Sequence, residues 1–127
     1  MKIATSFGGA PLSANLVLEV LKDGGWRRHL ASTRERLARS MAETVRRLAG
    51  IGIRPVIEPD GGMFLWCRLP AGLDAADIAR KALAEDVILA PGNVFSLTQS
   101  AGDCLRFNVA QSADPRIFAV LDRAMRD

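Results

Sequence analysis

Apolar residues change their spacing once along this chain, close to residue 50. Upstream they recur at helical intervals. Pro11-Leu12-Ser13-Ala14 predicts a helix start, with Ser13 as cap and Leu16, Val17, Val20 and Leu21 as the apolar set. Gly24-Gly25 ends that helix. A second helix is predicted from Trp26 to Ala49, because Trp26, Leu30, Leu37, Met41, Val45 and Leu48 fall on one stripe. At about 24 residues it would be roughly 36 Å long, long for a domain of this size. Its outer part is expected to reach toward something else. Gly50 and Gly52 close it.

Downstream the runs become short and strand-like. Arg54 to Glu58 predicts a strand stopped by Pro59, and Met63 to Leu69 a stronger one closed by Pro70-Ala71-Gly72. Asp74 predicts the cap of a helix carrying Ile78, Ala79, Ala82 and Leu83. Val87 to Leu89 reads as a brief buried strand, and Ser96 to Asp103 as a polar loop. Leu105 to Ala110 is a further strand, and Asp114-Pro115 opens a last helix through Ile117, Val120, Leu121 and Met125. The order predicts a helical segment over 1–50 and a small α/β domain over 51–127, an α+β sandwich of two layers.

Composition narrows the class. The 127 residues are 49% hydrophobic and 24% charged, enough for one real core. No apolar run approaches the roughly 20 residues that span a bilayer, and Met1 to Ser6 is too short a stretch for a secretory signal. A cytoplasmic setting is expected. The net charge of +3 is concentrated, with Arg27, Arg28, Arg34, Arg36, Arg39, Arg46 and Arg47 on the long helix. That stretch reads as a solvated helix face, the alternative being a nucleic-acid footprint with salt-sensitive binding. Cys67 and Cys104 lack CxxC spacing and sit among apolar residues, so two reduced, buried thiols are expected rather than a disulfide.

Little of the common catalytic equipment is present. His29 stands alone on the arginine-rich helix, no zinc spacing occurs, and neither GxSxG, a P-loop nor GxGxxG is found. Three segments stand out instead. Gly61-Gly62 feeds the apolar Met63-Phe64-Leu65-Trp66, which suggests a backbone brought close to something. Ala90-Pro91-Gly92 suggests a strand ending in a sharp turn. Arg106 lies inside the apolar run Cys104-Leu105-Arg106-Phe107-Asn108, a charge that must find an anion or remain costly. Strand alternation puts Arg106 and Asn108 on one side, Phe107 and Val109 on the other. A guanidinium there can grip a carboxylate through two parallel hydrogen bonds, or it can pair with Asp103 or Glu58 at a sheet rim.

Taken in order, these segments resemble the carboxy-terminal part of fold-type I pyridoxal-phosphate aminotransferases, and the resemblance covers essentially the whole chain. It implies a small, mainly antiparallel sheet with helices on one face, preceded by a long linking helix. It also implies that Arg106 is the arginine that clamps the substrate carboxylate. Asn108, Gly62 and Met63 would border the substrate pocket, and Thr5 and Ser6 would offer hydroxyls to the cofactor phosphate of a neighbouring subunit. Ile88 to Gly92 with Phe95-Ser96, followed by Cys104 to Asn108, look most like MocR-type regulators of the GntR family. These fuse a DNA-reading winged helix to an aminotransferase-like effector domain. Gly61 to Trp66 is equally similar to free aminotransferases of the aminoadipate or aromatic type. Either parent implies pyridoxal phosphate, an amino-acid-like ligand and a homodimer, with DNA contacted only through a separate amino-terminal domain. The Schiff base needs a lysine. Lys2, Lys22 and Lys81 all lack the Ser-x-x-Lys setting the family uses, so the resemblance implies a chain without catalytic residues, inactive alone and holding neither cofactor nor metal.

Overall fold

Cys104–Asn108 is the inner strand around which the sheet is organised (β4). It pairs antiparallel with Phe64–Arg68 (β2) on one side and Ala90–Pro91 (β3) on the other, and Arg54–Pro55 (β1) adds an edge beside β2, giving the order β1-β2-β4-β3. Every pairing is antiparallel. The described residues also form four α-helices: α1 Pro11–Lys22, α2 Gly25–Gly50, α3 Ala75–Leu83 and α4 Pro115–Arg126. The structure, a computed structural model, describes residues 11–126. The described residues form two compact units that divide between Glu35 and Arg36, within α2.

In the unit beginning at Arg36, one face of the sheet carries the core. Leu65, Cys67, Leu105 and Phe107 point inward from β2 and β4, with Val109 just beyond β4. They meet Leu48 of α2, Ile78 of α3, and Phe118 and Leu121 of α4. Leu37, Met41 and Val45 add the partly buried edge of the predicted α2 stripe. Each fully buried aliphatic chain contributes about 1.5–3 kcal/mol relative to exposure. Asp74 caps α3 as expected, its Oδ1 accepting from the N–H groups of Ala76 and Asp77 at 2.9 and 3.0 Å. Asp114 does the same for α4, accepting from Arg116 N–H at 2.8 Å. The two-layer reading therefore holds, with α3, α4 and the end of α2 on one side of a small antiparallel sheet.

Several local expectations need correction. Ser13 is not a cap: α1 already includes Pro11, so Ser13 lies inside its first turn. The strand expected over Arg54–Glu58 is only Arg54–Pro55, because prolines 55 and 59 lack the N–H a ladder needs. Val87–Leu89 is not a strand. Val87 is buried with Ala82 and Val120, Ile88 faces solvent, and pairing begins only at Ala90. Leu83 ends α3 exposed rather than on its apolar face. In the unit ending at Glu35, Leu12, Leu16, Val17, Leu18, Val20 and Leu21 of α1 are all exposed. No described helix is long and apolar enough to cross a membrane.

Candidate functional site

Antiparallel register decides which side chains share the face without helices. Directly opposed residues point the same way, so Phe64 with Asn108 and Trp66 with Arg106 lie together on that face. Ala90 joins from β3, opposite Arg106. From Leu105 onward burial along β4 alternates as the sequence predicts, with Leu105 and Phe107 in the core and Arg106 and Asn108 partly exposed on the other side, while Cys104 is buried as well.

Arg106 has no acidic partner among the described residues. Asp103, one rim candidate, is taken by Arg68, whose Nε lies 3.0 Å from its Oδ2; no ion pair links Glu58 to the guanidinium either. Arg106 instead lies over two aromatic rings, its Cζ 4.6 Å from the Phe64 centroid and 4.0 Å from that of Phe95. Both distances are inside the range of a cation–π contact. The edge of Trp66 in turn meets Phe95 at 6.1 Å and 79°. A ring takes no N–H hydrogen bond of the strength a carboxylate accepts, so the donor fork keeps its capacity for an anion. Arg106, Phe64 and Asn108 line an open cavity of about 340 Å³, to which Ile88, Leu89 and Ile117 add apolar wall.

Phe95 reaches Arg106 because Gly92–Phe95 winds into a 3₁₀ turn directly after β3. That turn is pinned: Asn93 Oδ1 accepts from Ala101 N–H at 3.0 Å. Gly92 is the position where backbone comes close, since a Cβ there would sit 2.4 Å from the Ala101 oxygen. Gly61 and Gly62 differ from expectation. No atom lies within 4 Å of a Cβ added to either, and Gly62 is required for its φ of +99° at the turn into β2. Met63, half-exposed, follows, and its carbonyl accepts from Val109 N–H at 2.8 Å, which brings Gly62 and Met63 beside the end of β4.

Asn108 faces the same side as Arg106 but engages its amide locally. Its Oδ1 accepts from Ala110 N–H at 3.1 Å and its Nδ2 donates to Gln111 at 3.3 Å, closing the turn after β4. Thr5 and Ser6 lie outside the described residues. The clamp by Phe64 and Phe95 went unpredicted as a clamp, although both residues lie in segments the sequence singles out. The signal for Phe64 is its place two residues before Trp66; none marks Phe95 as the partner of Arg106.

Two of the lysines lie among the described residues. Lys22 pairs with Glu19 on exposed α1, and Lys81 donates to the Ala124 carbonyl between α3 and α4, in the helical layer across the sheet from Arg106. No group of three or more metal-ligating side chains occurs among the described residues. Cys67 and Cys104 are both free and buried, their β-strand positions facing opposite sides of the sheet.

Comparison with known proteins places this geometry. The family model for aminotransferase class I and II matches residues 2–123. A 2-aminoadipate transaminase of Thermus thermophilus is 34% identical over 105 residues, 78% of this chain and 25% of that protein. The uncharacterized HTH-type transcriptional regulator YdcR of Escherichia coli is 41% identical over 51 residues, 40% of this chain and 11% of YdcR. Among solved structures, LysN, an alpha-aminoadipate aminotransferase from Thermus thermophilus complexed with N-(5'-phosphopyridoxyl)-L-leucine, superposes with a TM-score of 0.64. The identity is 32%, over 87% of this chain and 30% of LysN. The chain thus spans about a quarter of the transaminase's length, and its relatives include both enzymes and regulators. With the family model matching nearly every residue, this chain belongs to the class I and II aminotransferase family.

Proposed function

We propose that this chain is the small, carboxylate-gripping part of the aminotransferase-like effector domain of a MocR-type regulator of the GntR family. Arg106 holds the carboxylate of an amino-acid-like ligand. The observation that carries this reading is a guanidinium without an acidic partner among the described residues, on the open face of the sheet and beside a cavity. A half-buried cation of this kind gains most from a bidentate anion. Pyridoxal phosphate, its Schiff-base lysine, the second subunit and the DNA-reading domain belong, in this proposal, to polypeptide beyond these residues. Gly62 and Met63 border the ligand, Asn108 shapes the turn beside it, and Thr5 and Ser6 address the cofactor phosphate of the partner subunit. The test compares 2-amino acids with their carboxamides by calorimetry on the complete protein. Arg106→Ala should weaken the acid by about 2–5 kcal/mol, as expected for loss of one partner of a buried charge pair, and leave the amide unchanged. Equal losses for acid and amide would reject the role.

A second reading, a free aminotransferase of the aminoadipate or aromatic type, is favoured by the 34% identity to a 2-aminoadipate transaminase. It keeps the same residues in the same roles. Amino transfer from 2-aminoadipate to a 2-oxo acid by the complete protein, without sequence-specific DNA binding, would select it.

A further inference from the structure

We infer that Phe64 and Phe95 are positioning residues that hold the Arg106 guanidinium ready for a carboxylate without neutralising it; this rests on the carboxylate role proposed above. An arginine side chain has about 2 kcal/mol of rotamer freedom to lose when it grips an anion. Fixing it beforehand with an acid would consume the charge the ligand needs. Here the fixing groups are rings, with centroids 4.6 and 4.0 Å from Cζ, and no ion pair engages the guanidinium among the described residues. The two rings come from different elements. Phe64 begins β2, in register with Asn108. Phe95 ends the 3₁₀ turn, is met by the edge of Trp66, and is carried by a loop tied through Asn93 to Ala101. Both rings are only about half-buried, at 46% and 45% exposure. Packing of the core therefore does not account for them; both touch Arg106, and Phe95 also meets Trp66.

The probe is sodium acetate, titrated against sodium chloride at equal ionic strength, on the complete protein. The readout is the Arg106 Nε–Hε signal in 1H–15N spectra, identified by its loss in R106K. In the wild type it should be ring-shifted and respond saturably to acetate beyond chloride. F95L and F64L keep apolar bulk but remove the π face. Each leaves the other ring in place, so each should move the signal part of the way toward the ordinary arginine position and weaken the acetate response roughly fivefold, the scale of one cation–π contact. F95W should restore both properties, which a merely space-filling role would not require. An unshifted wild-type signal, or an acetate response undiminished in both leucine variants, overturns the inference. The wild-type shift needs no variant, so misfolding of a substituted chain leaves the inference exposed to refutation. A shifted wild-type signal that answers acetate no better than chloride overturns the carboxylate role itself, and the inference with it.

Discussion

Arg106 carries its charge on the open face of the sheet, held between Phe64 and Phe95 rather than by an acid among the described residues. Alternation along Cys104–Asn108 predicts its face, and burial of Leu105 and Phe107 agrees. Its partners are beyond such a reading, since they depend on a register and a 3₁₀ turn that no local pattern encodes. Cys67 is the opposite case, legible from its surroundings alone. Burial, with a smaller contribution from nearby Cys104, pushes its thiol up to about 12. The thiolate is the reactive form, so Cys67 should react with a disulfide reagent at pH 8 only as fast as the protein opens. Denaturant should raise the rate steeply. Rapid modification of two thiols per native chain would contradict this burial. Disulfide formation is excluded by geometry: Cys67 opposes Leu105 while Cys104 opposes Arg68, so the two cysteines leave adjacent strands on opposite faces.

At the scale of elements, strong periodicity is the reliable guide. The α2 stripe, the caps at Asp74 and Asp114, and the strands around Leu65 and Leu105 all appear close to where their patterns put them. Short apolar runs mislead, because burial and pairing are different things. Val87 is buried without belonging to a ladder, and the ladder begins at Ala90, whose neighbour Pro91 then ends it. Glycines mislead for a similar reason, since sequence does not distinguish a need for φ from a need for space. The structure does. Gly92 needs space: a Cβ there would meet the Ala101 oxygen at 2.4 Å and the Cβ atoms of Ala101 and Cys104 at 3.0 Å. That oxygen also accepts Cys104 N–H at 3.1 Å and cannot yield cheaply. Gly92→Ala should cost about 1–3 kcal/mol, the usual range for overpacking. Gly61→Ala, which meets nothing, should stay within about 0.5 kcal/mol. Urea unfolding of both variants decides, and equal midpoints would mean the 3₁₀ turn relaxes freely.

Across the larger unit, the helical layer is held by charges as well as by its core. Glu85, just after α3, receives Arg123 of α4 at 2.5 Å, and its carbonyl accepts from Arg116 at 2.5 Å. Lys81 adds a bond to the Ala124 carbonyl at 3.3 Å. The Arg123 hydrogen bond holds the Glu85 carboxyl below its ordinary value of 4.5. Glu43 is lowered in the same way, first by Arg46 and then by Arg47. A carboxyl whose pKa falls on folding binds fewer protons in the native state than in the unfolded one. Its stabilisation is therefore complete above the unfolded value and disappears as pH drops through the folded one. These pairs are solvent-exposed and individually small, so the diagnostic is the shape of the curve. Melting temperature should be level from pH 7 to about 5 and fall below about 4.5. Glu85→Gln should melt lower than the wild type at pH 7, and the gap should narrow as pH falls below the ordinary carboxyl value of 4.5 and the wild-type carboxyl takes up its own proton. Curves that stay parallel throughout the acid limb would show that Glu85 joins α3 to α4 through its backbone carbonyl and Arg116 alone.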